Sequence, residues 1–348
     1  MGKATCIVIG DPHFKTNNTV ECQALITKVC AAVDKFKPDF VVCLGDLLDK
    51  HETFHETPFN LATKFMEQLS DRCLTFLIVG NHDYCNNQQF LSDRHPYNAM
   101  KKWDNIVVVD QVKVYPFKDF EFLFVPYVPP GRFKEALVSY DMWDTCDCIF
   151  AHQEFYGCKM GAVTSTEGDR WDDDFPLVIS GHIHTAQTIG NNIHYVGSSM
   201  QHAFGDTDDK RIWLCEFDDS KDEPFSFKKI NLKLQKKHLM YVELKDVARL
   251  AKDLQKYEND QVKVNIKCSY EEYKAFVKTP EFKKLSGKKD IRLVHAKTSR
   301  ILNENIEQFK AKKLKELNGV VGYENVFKKL IDDEGSDMLR QTYESLTH

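Results

Sequence analysis

Residues 74–83 read Leu-Thr-Phe-Leu-Ile-Val-Gly-Asn-His-Asp, and this stretch decides the fold. The apolar run Leu74 to Val79 breaks at Gly80 and hands over to Asn81, His82 and Asp83, which reads as a buried strand ending in a turn that carries ligand groups. Four other stretches repeat the pattern. Asp11-Pro12-His13 follows Thr5 to Ile9, Gly45-Asp46-Leu47-Leu48-Asp49 follows Phe40 to Leu44, His152 follows Cys148 to Ala151, and Gly181-His182-Ile183-His184 follows Leu177 to Ser180. Open α/β sheets gather their functional loops along one edge, so the five turns are expected to converge by sharing one sheet. Their carboxylates and imidazoles predict a single dinuclear metal site. One Asp-x-His pair in a chain with 13 histidines would be an ordinary surface feature, whereas five ordered strand-end groups are not.

Between these turns the chain alternates strand and helix. Leu25, Ile26, Val29, Cys30 and Val33 make one apolar stripe over Cys22 to Phe36, and Pro38 ends it, so the flanking strands form a βαβ unit and should be parallel neighbours. A second amphipathic helix spans Thr57 to Leu69. Residues 85–103 read as a long loop or short helix. Val107 to Val109, Val112 to Tyr115 and Phe120 to Val125 read as antiparallel or edge strands, and Arg132 to Tyr140 as a helix. Residues 155–172 read as a surface loop, 193–196 as a strand, and 211–217 as the strand that closes the sheet. The expected class is α/β (α+β), a sandwich of two packed mixed sheets flanked by helices over residues 1–224. From 225 to 298 a strand-helix-strand-helix-strand order predicts a small accessory domain, with one helix over Tyr270 to Leu285. Residues 299–348 are a polar linker followed by two apolar helical stripes around Gly335, too small to bury themselves without a partner.

Composition bounds the setting. The formal net charge is −5, but residues 226–348 carry 27 Lys and Arg against 18 Asp and Glu, while the rest carries 20 against 34. An acidic first part suits cation binding, and a basic second part suits contact with phosphate backbone. No apolar run approaches the roughly 18 residues of a membrane span, and the first residues lack the apolar core of a signal peptide. The 11 cysteines, an odd number mostly set in apolar segments, read as buried thiols of a reducing compartment rather than disulfides or zinc ligands. An intracellular, cytoplasmic protein without a membrane segment is expected.

The order Asp-x-His, Gly-Asp-x-x-Asp, Gly-Asn-His-Asp, His, Gly-His-x-His resembles the calcineurin-like metallophosphoesterase superfamily. Hydrolysis of a phosphodiester is opposed by charge on the phosphoryl oxygens and by a poor leaving group, and two closely spaced metal ions address both. Asp46, with two oxygens, is read as the bridge. The resemblance implies Asp11, His13, Asp46 and His184 around a first metal, and Asp46, Asn81, His152 and His182 around a second. His82 should project beside the metals, to stabilise phosphoryl charge or protonate the leaving oxygen, with the Asp49 carboxylate orienting it. Asp83 is expected to bond within its own turn. A mixed nitrogen and oxygen shell suits Mn²⁺ or iron better than Mg²⁺. His51 and His55 could reach substrate near Asp49, with surface solvation the safer reading for each, while His95 is a candidate phosphate contact and His194 reads as structural.

Protein Ser/Thr phosphatases of this superfamily carry Asp-Arg-Gly after the second motif, where this chain has Asp49-Lys50-His51. The chain is instead similar to nuclease subunits of the SbcD and meiotic-recombination-eleven type, their phage members most. The stretches that carry this likeness are Gly45 to Asp49, Gly80 to Asp83, His152 to Gly157, Gly181 to His184 and Phe204 to Trp213. It implies a Mn²⁺-dependent DNA exonuclease and endonuclease, a homodimer with a DNA-capping domain, and C-terminal helices that bind an SbcC or Rad-fifty type ATPase. Cellular members of that group carry His where this chain has Asp49. A small-molecule phosphodiesterase or a metal-free scaffold of the same fold are the alternatives.

Overall fold

The computed structural model describes residues 2–297 apart from Phe54 and Lys289, so the expected helical segment 299–348 lies outside the described residues. Among the described residues the chain divides into two units, the first holding residues up to 238 with 259–261, the second 239–258 and 262–297. The first unit runs β1 (Lys3–Ile9), α1 (Thr19–Phe36), β2 (Phe40–Cys43), α2 (Glu56–Ser70), β3 (Leu74–Ile78), β4 (Ile106–Val109), β5 (Lys113–Phe117), β6 (Phe120–Val125) and α3 (Phe133–Leu137). It continues through β7 (Cys148–Ala151), the short hairpin β8 (Lys159–Met160) and β9 (Val163–Thr164), then β10 (Leu177–Ser180), β11 (Gln187–Ile189), β12 (Ile193–Tyr195), β13 (Ile212–Asp218) and β14 (Phe225–Ile230).

Two six-stranded sheets result, ordered β14-β13-β1-β2-β3-β4 and β11-β12-β10-β7-β6-β5. In the first, β1 to β4 are mutually parallel. In the second, β6, β7, β10 and β12 are parallel. Strand side chains alternate between faces, and central parallel strands are apolar on both. Cys6, Val8, Phe40, Val42, Phe76 and Ile78 therefore pack across to Phe122, Phe124, Phe150 and Ile179 of the other sheet. Their neighbours Ile7, Val41, Cys43 and Leu77 face outward, under the stripes of α1 and α2. On the far side, Leu123, Ile149 and Val178 pack with Phe133 and Leu137 of α3.

The expectation that one sheet carries all five turns is corrected here. The turns after β1, β2 and β3 leave the first sheet and those after β7 and β10 leave the second. Convergence needs only that both sheets end their parallel strands at the same end of the sandwich. Phe120–Val125, expected as an antiparallel or edge strand, is antiparallel to β5 and, on its other side, parallel to β7, so it lies inside the sheet. Residues 225–230, placed beyond the expected boundary at 224, pair antiparallel with β13 in the first sheet. All 11 cysteines are free thiols, with Cys146 and Cys148 packed in different cores.

The second unit contains the sheet β15 (Lys237–Glu243), β16 (Gln261–Cys268) and β17 (Ile291–Lys297), with α4 (Val247–Asp253), α5 (Tyr270–Val277) and α6 (Pro280–Ser286). The single helix expected over 270–285 is two. Pro280 has no N–H to continue α5 and sits in the first turn of α6, where Thr279 accepts the Phe282 amide as its cap. Val262, Val264 and Ile266 are buried with Leu250, Leu254 and Phe276. Lys263, Asn265 and Lys267 alternate to the opposite face, in register with Arg292, Val294 and Ala296. No helix among the described residues is long and apolar enough to cross a membrane.

Beside the edge strand β4, Asp110 is buried and binds His95 and Lys101. Burial opposes its ionisation, but the hydrogen bonds from His95 and Lys101 outweigh it and bring the carboxyl from 3.8 to about 2. A depressed carboxylate stabilises the fold above its ordinary pKa and ceases to do so as the pH falls through the folded value. Asp110→Asn is therefore expected to cost at most about 2 kcal/mol at pH 7, with the difference from wild type vanishing toward pH 2 in urea titrations. The same contacts make His95 a structural residue rather than a phosphate contact. His194 packs between Trp213, Phe225 and Phe227.

Candidate metal centre

The strand ends deliver their groups through strained backbone. Asp11, His13, Asp46 and His182 all have positive φ, at 25°, 45°, 49° and 74°. Non-glycine residues adopt such values rarely, and they cluster where the surroundings force a functional geometry. Main-chain bonds from His13 N to Asp46 O (2.9 Å) and Phe14 N to Leu47 O (2.8 Å) zip the first two turns together. Gly80 is required by contact: a Cβ there would run into the amide and carboxylate of Asp46.

Asp83 braces this frame. Its carboxylate accepts the amides of Gly80, Leu47 and Leu48 and the Tyr97 hydroxyl. It bonds within its own turn, as expected, and also pins the neighbouring one. Burial and the nearby Asp46 push its carboxyl up, so these donors are what hold it in place. Asp83→Ala would strand buried donors at about 1–3 kcal/mol each. We expect a loss of at least about 3 kcal/mol in urea denaturation.

All seven expected ligand residues meet in one cluster. Asp46 Oδ2 lies 3.5 Å from His13 Nε2 and 3.4 Å from His152 Nε2. His13 and His184 face each other Nε2 to Nε2 at 3.0 Å, and Asp11 Oδ2 is 3.6 Å from His184 Nε2. On the other side, Asn81 Oδ1 is 3.0 Å from both His152 Nε2 and His182 Nδ1. Two groups of metal-ligating side chains, Asp11 with His13 and Asp46, and Asp46 with His152 and His182, thus share Asp46.

These residues fit divalent cations. Asp11 Oδ2 is buried without a hydrogen-bond partner, a costly state for a carboxylate that receives no cation. Burial opposes ionisation of Asp46, yet His152, His13 and His82 together hold it well below the usual carboxylate range. Burial would depress His152, but Asp46 outweighs it and pushes the imidazole up to about 9, which shows how strongly this spot favours positive charge. The outward nitrogen of His152 is fixed as metal-binding histidines require. His152 Nδ1 donates to Leu44 O at 2.7 Å, and His182 Nε2 lies 3.8 Å from Glu154.

His82 stands beside the cluster. Its amide donates to Asp46 Oδ1 (2.9 Å), and its ring is 5.0 Å from that of His13. The role expected for Asp49 is corrected. Its carboxylate turns away from His82, to Lys15 Nζ at 3.0 Å and His13 Nδ1 at 3.5 Å. It is the Asp49 carbonyl that accepts His82 Nδ1–H, at 2.8 Å. Burial opposes ionisation of the Asp49 carboxyl, but the nearby His13 imidazole and the hydrogen bond from Lys15 hold the group at about 2.

Two further histidines stand at the site. His51, for which solvation was the safer reading over a place near Asp49, stacks on His82 with centroids 5.1 Å apart and planes within 7°. His51 Nδ1 donates to Tyr84 O at 3.0 Å, so each of the two turns braces the other through the Nδ1 of one imidazole. His202, not singled out before, joins His13 and His184 in a third potential ligand group. Burial holds its imidazole well below the usual range, hence neutral. His55 is exposed at the start of α2, where it lines a small pocket with Lys15 and Asp49.

Residues 4–186 match the family model of the calcineurin-like phosphoesterases. The chain belongs to that family. It is 46% identical over 284 residues to "Putative phosphoesterase 244L" of Invertebrate iridescent virus 6, covering 80% of this chain and 99% of that protein. It is 42% identical over 286 residues to "Putative phosphoesterase 078R" of Invertebrate iridescent virus 3, covering 81% and 82%. Among solved structures, the E. coli phosphoesterase Yfce aligns at 10% identity and a TM-score of 0.32, over 65% of this chain and 100% of that one. This phosphoesterase is accordingly a metal-dependent hydrolase, and the clusters above are where its chain can hold metal.

Proposed function

We propose that this phosphoesterase is a dinuclear DNA nuclease, cleaving phosphodiester bonds as a 3′–5′ exonuclease on duplexes and an endonuclease on single strands. The observation that carries the dinuclear reading is Asp46, whose Oδ2 faces an imidazole of each ligand group. Mn²⁺ is the proposed metal, because imidazole-rich sites favour it over Mg²⁺. Bound ions would neutralise the phosphoryl oxygens and acidify an attacking water. The chain's own part follows from His82. Held through Nδ1–H by the Asp49 carbonyl, its ring offers Nε2 to protonate the leaving 3′ oxygen, and the stacked His51 adds a second imidazole to the phosphate-facing side.

DNA as substrate is supported by the likeness to nuclease subunits and by the second unit. The open face of its sheet carries Lys263, Lys267 and Arg292, and Tyr241 is 59% exposed with Lys267 over its ring at 5.5 Å. Basic side chains interleaved with an aromatic suit phosphate backbone and base stacking. On this reading residues 225–298 are the DNA-capping part, the protein is an intracellular homodimer, and residues 299–348 dock a coiled-coil ATPase of the SbcC and Rad-fifty type.

End-labelled duplex DNA and bis(p-nitrophenyl) phosphate, each with Mn²⁺ and with chelator, test this. The nuclease reading predicts Mn²⁺-dependent release of nucleotides and a DNA affinity that falls steeply with salt. Hydrolysis of the small diester with no action on DNA would leave a small-molecule phosphodiesterase instead.

A further inference from the structure

We propose that His202 is a ligand of the first metal position, which thereby holds three imidazoles, from His13, His184 and His202. The proposal rests on the reading of the cluster as a metal centre and extends it by one residue. The three rings form a nearly equilateral arrangement, with centroids 4.9 Å apart for His13 and His184, 4.8 Å for His13 and His202, and 5.1 Å for His184 and His202. Each ring contributes a nitrogen within 4.8 Å of those of the other two. All three pairs meet edge to face.

Hydrogen bonding says which nitrogen is available. His202 Nε2 is 3.0 Å from the carbonyl oxygen of Asp11, which can only accept, so Nε2 carries the proton. The lone pair then stays on Nδ1, which is buried and has no hydrogen-bond partner. A bare buried acceptor is costly in a folded protein unless something fills its lone pair. Donation of one ring N–H to a main-chain carbonyl while the other nitrogen takes the ion is how metal-binding histidines are commonly held. Here the carbonyl belongs to Asp11, itself a residue of the same position.

The backbone that carries His202 is fixed in advance. Ser199 N donates to Gly10 O at 2.8 Å, and Asp206 accepts the amides of His202 (2.7 Å) and Ala203 (3.0 Å). Gln201 Nε2 closes the loop on Asp206 O at 2.9 Å. The imidazole is therefore presented by a clamped turn. Its consequence is a difference between the two positions: three imidazoles with Asp11 and Asp46 at the first, two imidazoles with Asn81 and Asp46 at the second. The extra nitrogen biases the first toward transition metals and away from Mg²⁺.

The test is Mn²⁺ binding to the metal-stripped full-length chain, followed by electron paramagnetic resonance and calorimetry, with folding checked by circular dichroism. Wild type, His202→Ala and His202→Asn are compared, the Asn variant keeping a side-chain N–H for the Asp11 carbonyl. We expect wild type to take up two ions, His202→Ala to weaken one site by more than about tenfold while sparing the other, and Asn not to restore it. Nitrogen couplings to bound Mn²⁺ should show one imidazole fewer in both variants. Unchanged affinities, or full rescue by Asn, would overturn the assignment and leave the proposed function standing. Fewer than two ions on wild type would overturn both.

Discussion

Asp46→Asn is expected to slow phosphodiester hydrolysis by on the order of a thousandfold or more while the chain remains folded. The carboxylate is completely enclosed by the groups it serves. Oδ2 faces His13 Nε2 at 3.5 Å and His152 Nε2 at 3.4 Å, and Oδ1 takes the His82 amide at 2.9 Å. Asparagine preserves the shape and one acceptor, so the turn at Gly80 keeps its partner. It removes the charge that belongs to both ligand groups. A neutral amide cannot draw two cations to the positions where one would neutralise the phosphoryl oxygens and the other acidify water. Steady-state rates with saturating Mn²⁺, beside thermal melts of both proteins, check this; a rate within tenfold of wild type would show that Asp46 is not the shared ligand.

His82→Ala is expected to lower kcat by about 10²–10⁴ with little change in KM, and to do so without loss of bound metal. The ring is held by Asp49 O and stacked on His51, and it belongs to none of the ligand groups around Asp46. Its contribution should appear where a proton must reach a departing alkoxide. With DNA or another alkyl ester the loss is large. With a nitrophenyl ester, whose leaving group needs no proton, it shrinks. Equal losses on both substrates would move His82 from proton donor to stabiliser of phosphoryl charge. His51→Ala, which removes the stacked neighbour and the brace on Tyr84 O, should give a smaller loss of the same kind.

Much of the centre was legible because its signals are local. Asp11, His13, Asp46, Asn81, His152, His182 and His184 each follow directly on an apolar run, and a strand that ends in a ligand can be read one segment at a time. What the runs could not say is how the strands are distributed, and two sheets rather than one carry them. The role of Asp49 was lost for a different reason. Sequence names a side chain, but it is the main-chain carbonyl that holds His82, while the carboxylate answers to Lys15 and His13. His51 and His202 depend on contacts between loops far apart in the chain, and neither follows an apolar run. For His202 the available signal was Asp206, four residues on, an acceptor placed to clamp a turn. The break between α5 and α6 was written in Thr279-Pro280 and passed over for the longer apolar stripe. β14 was missed because its edge position leaves most of Phe225–Ile230 exposed, which blurs the alternation.

Whether two cations share Asp46 is tested most directly by diffraction from Mn²⁺-loaded crystals, recorded where manganese scatters anomalously. Two anomalous peaks about 3.5–4 Å apart are predicted, one beside Asp11, His13 and His184 and the other beside Asn81, His152 and His182, with Asp46 between them. A single peak, or two peaks of which one does not touch Asp46, would contradict that sharing.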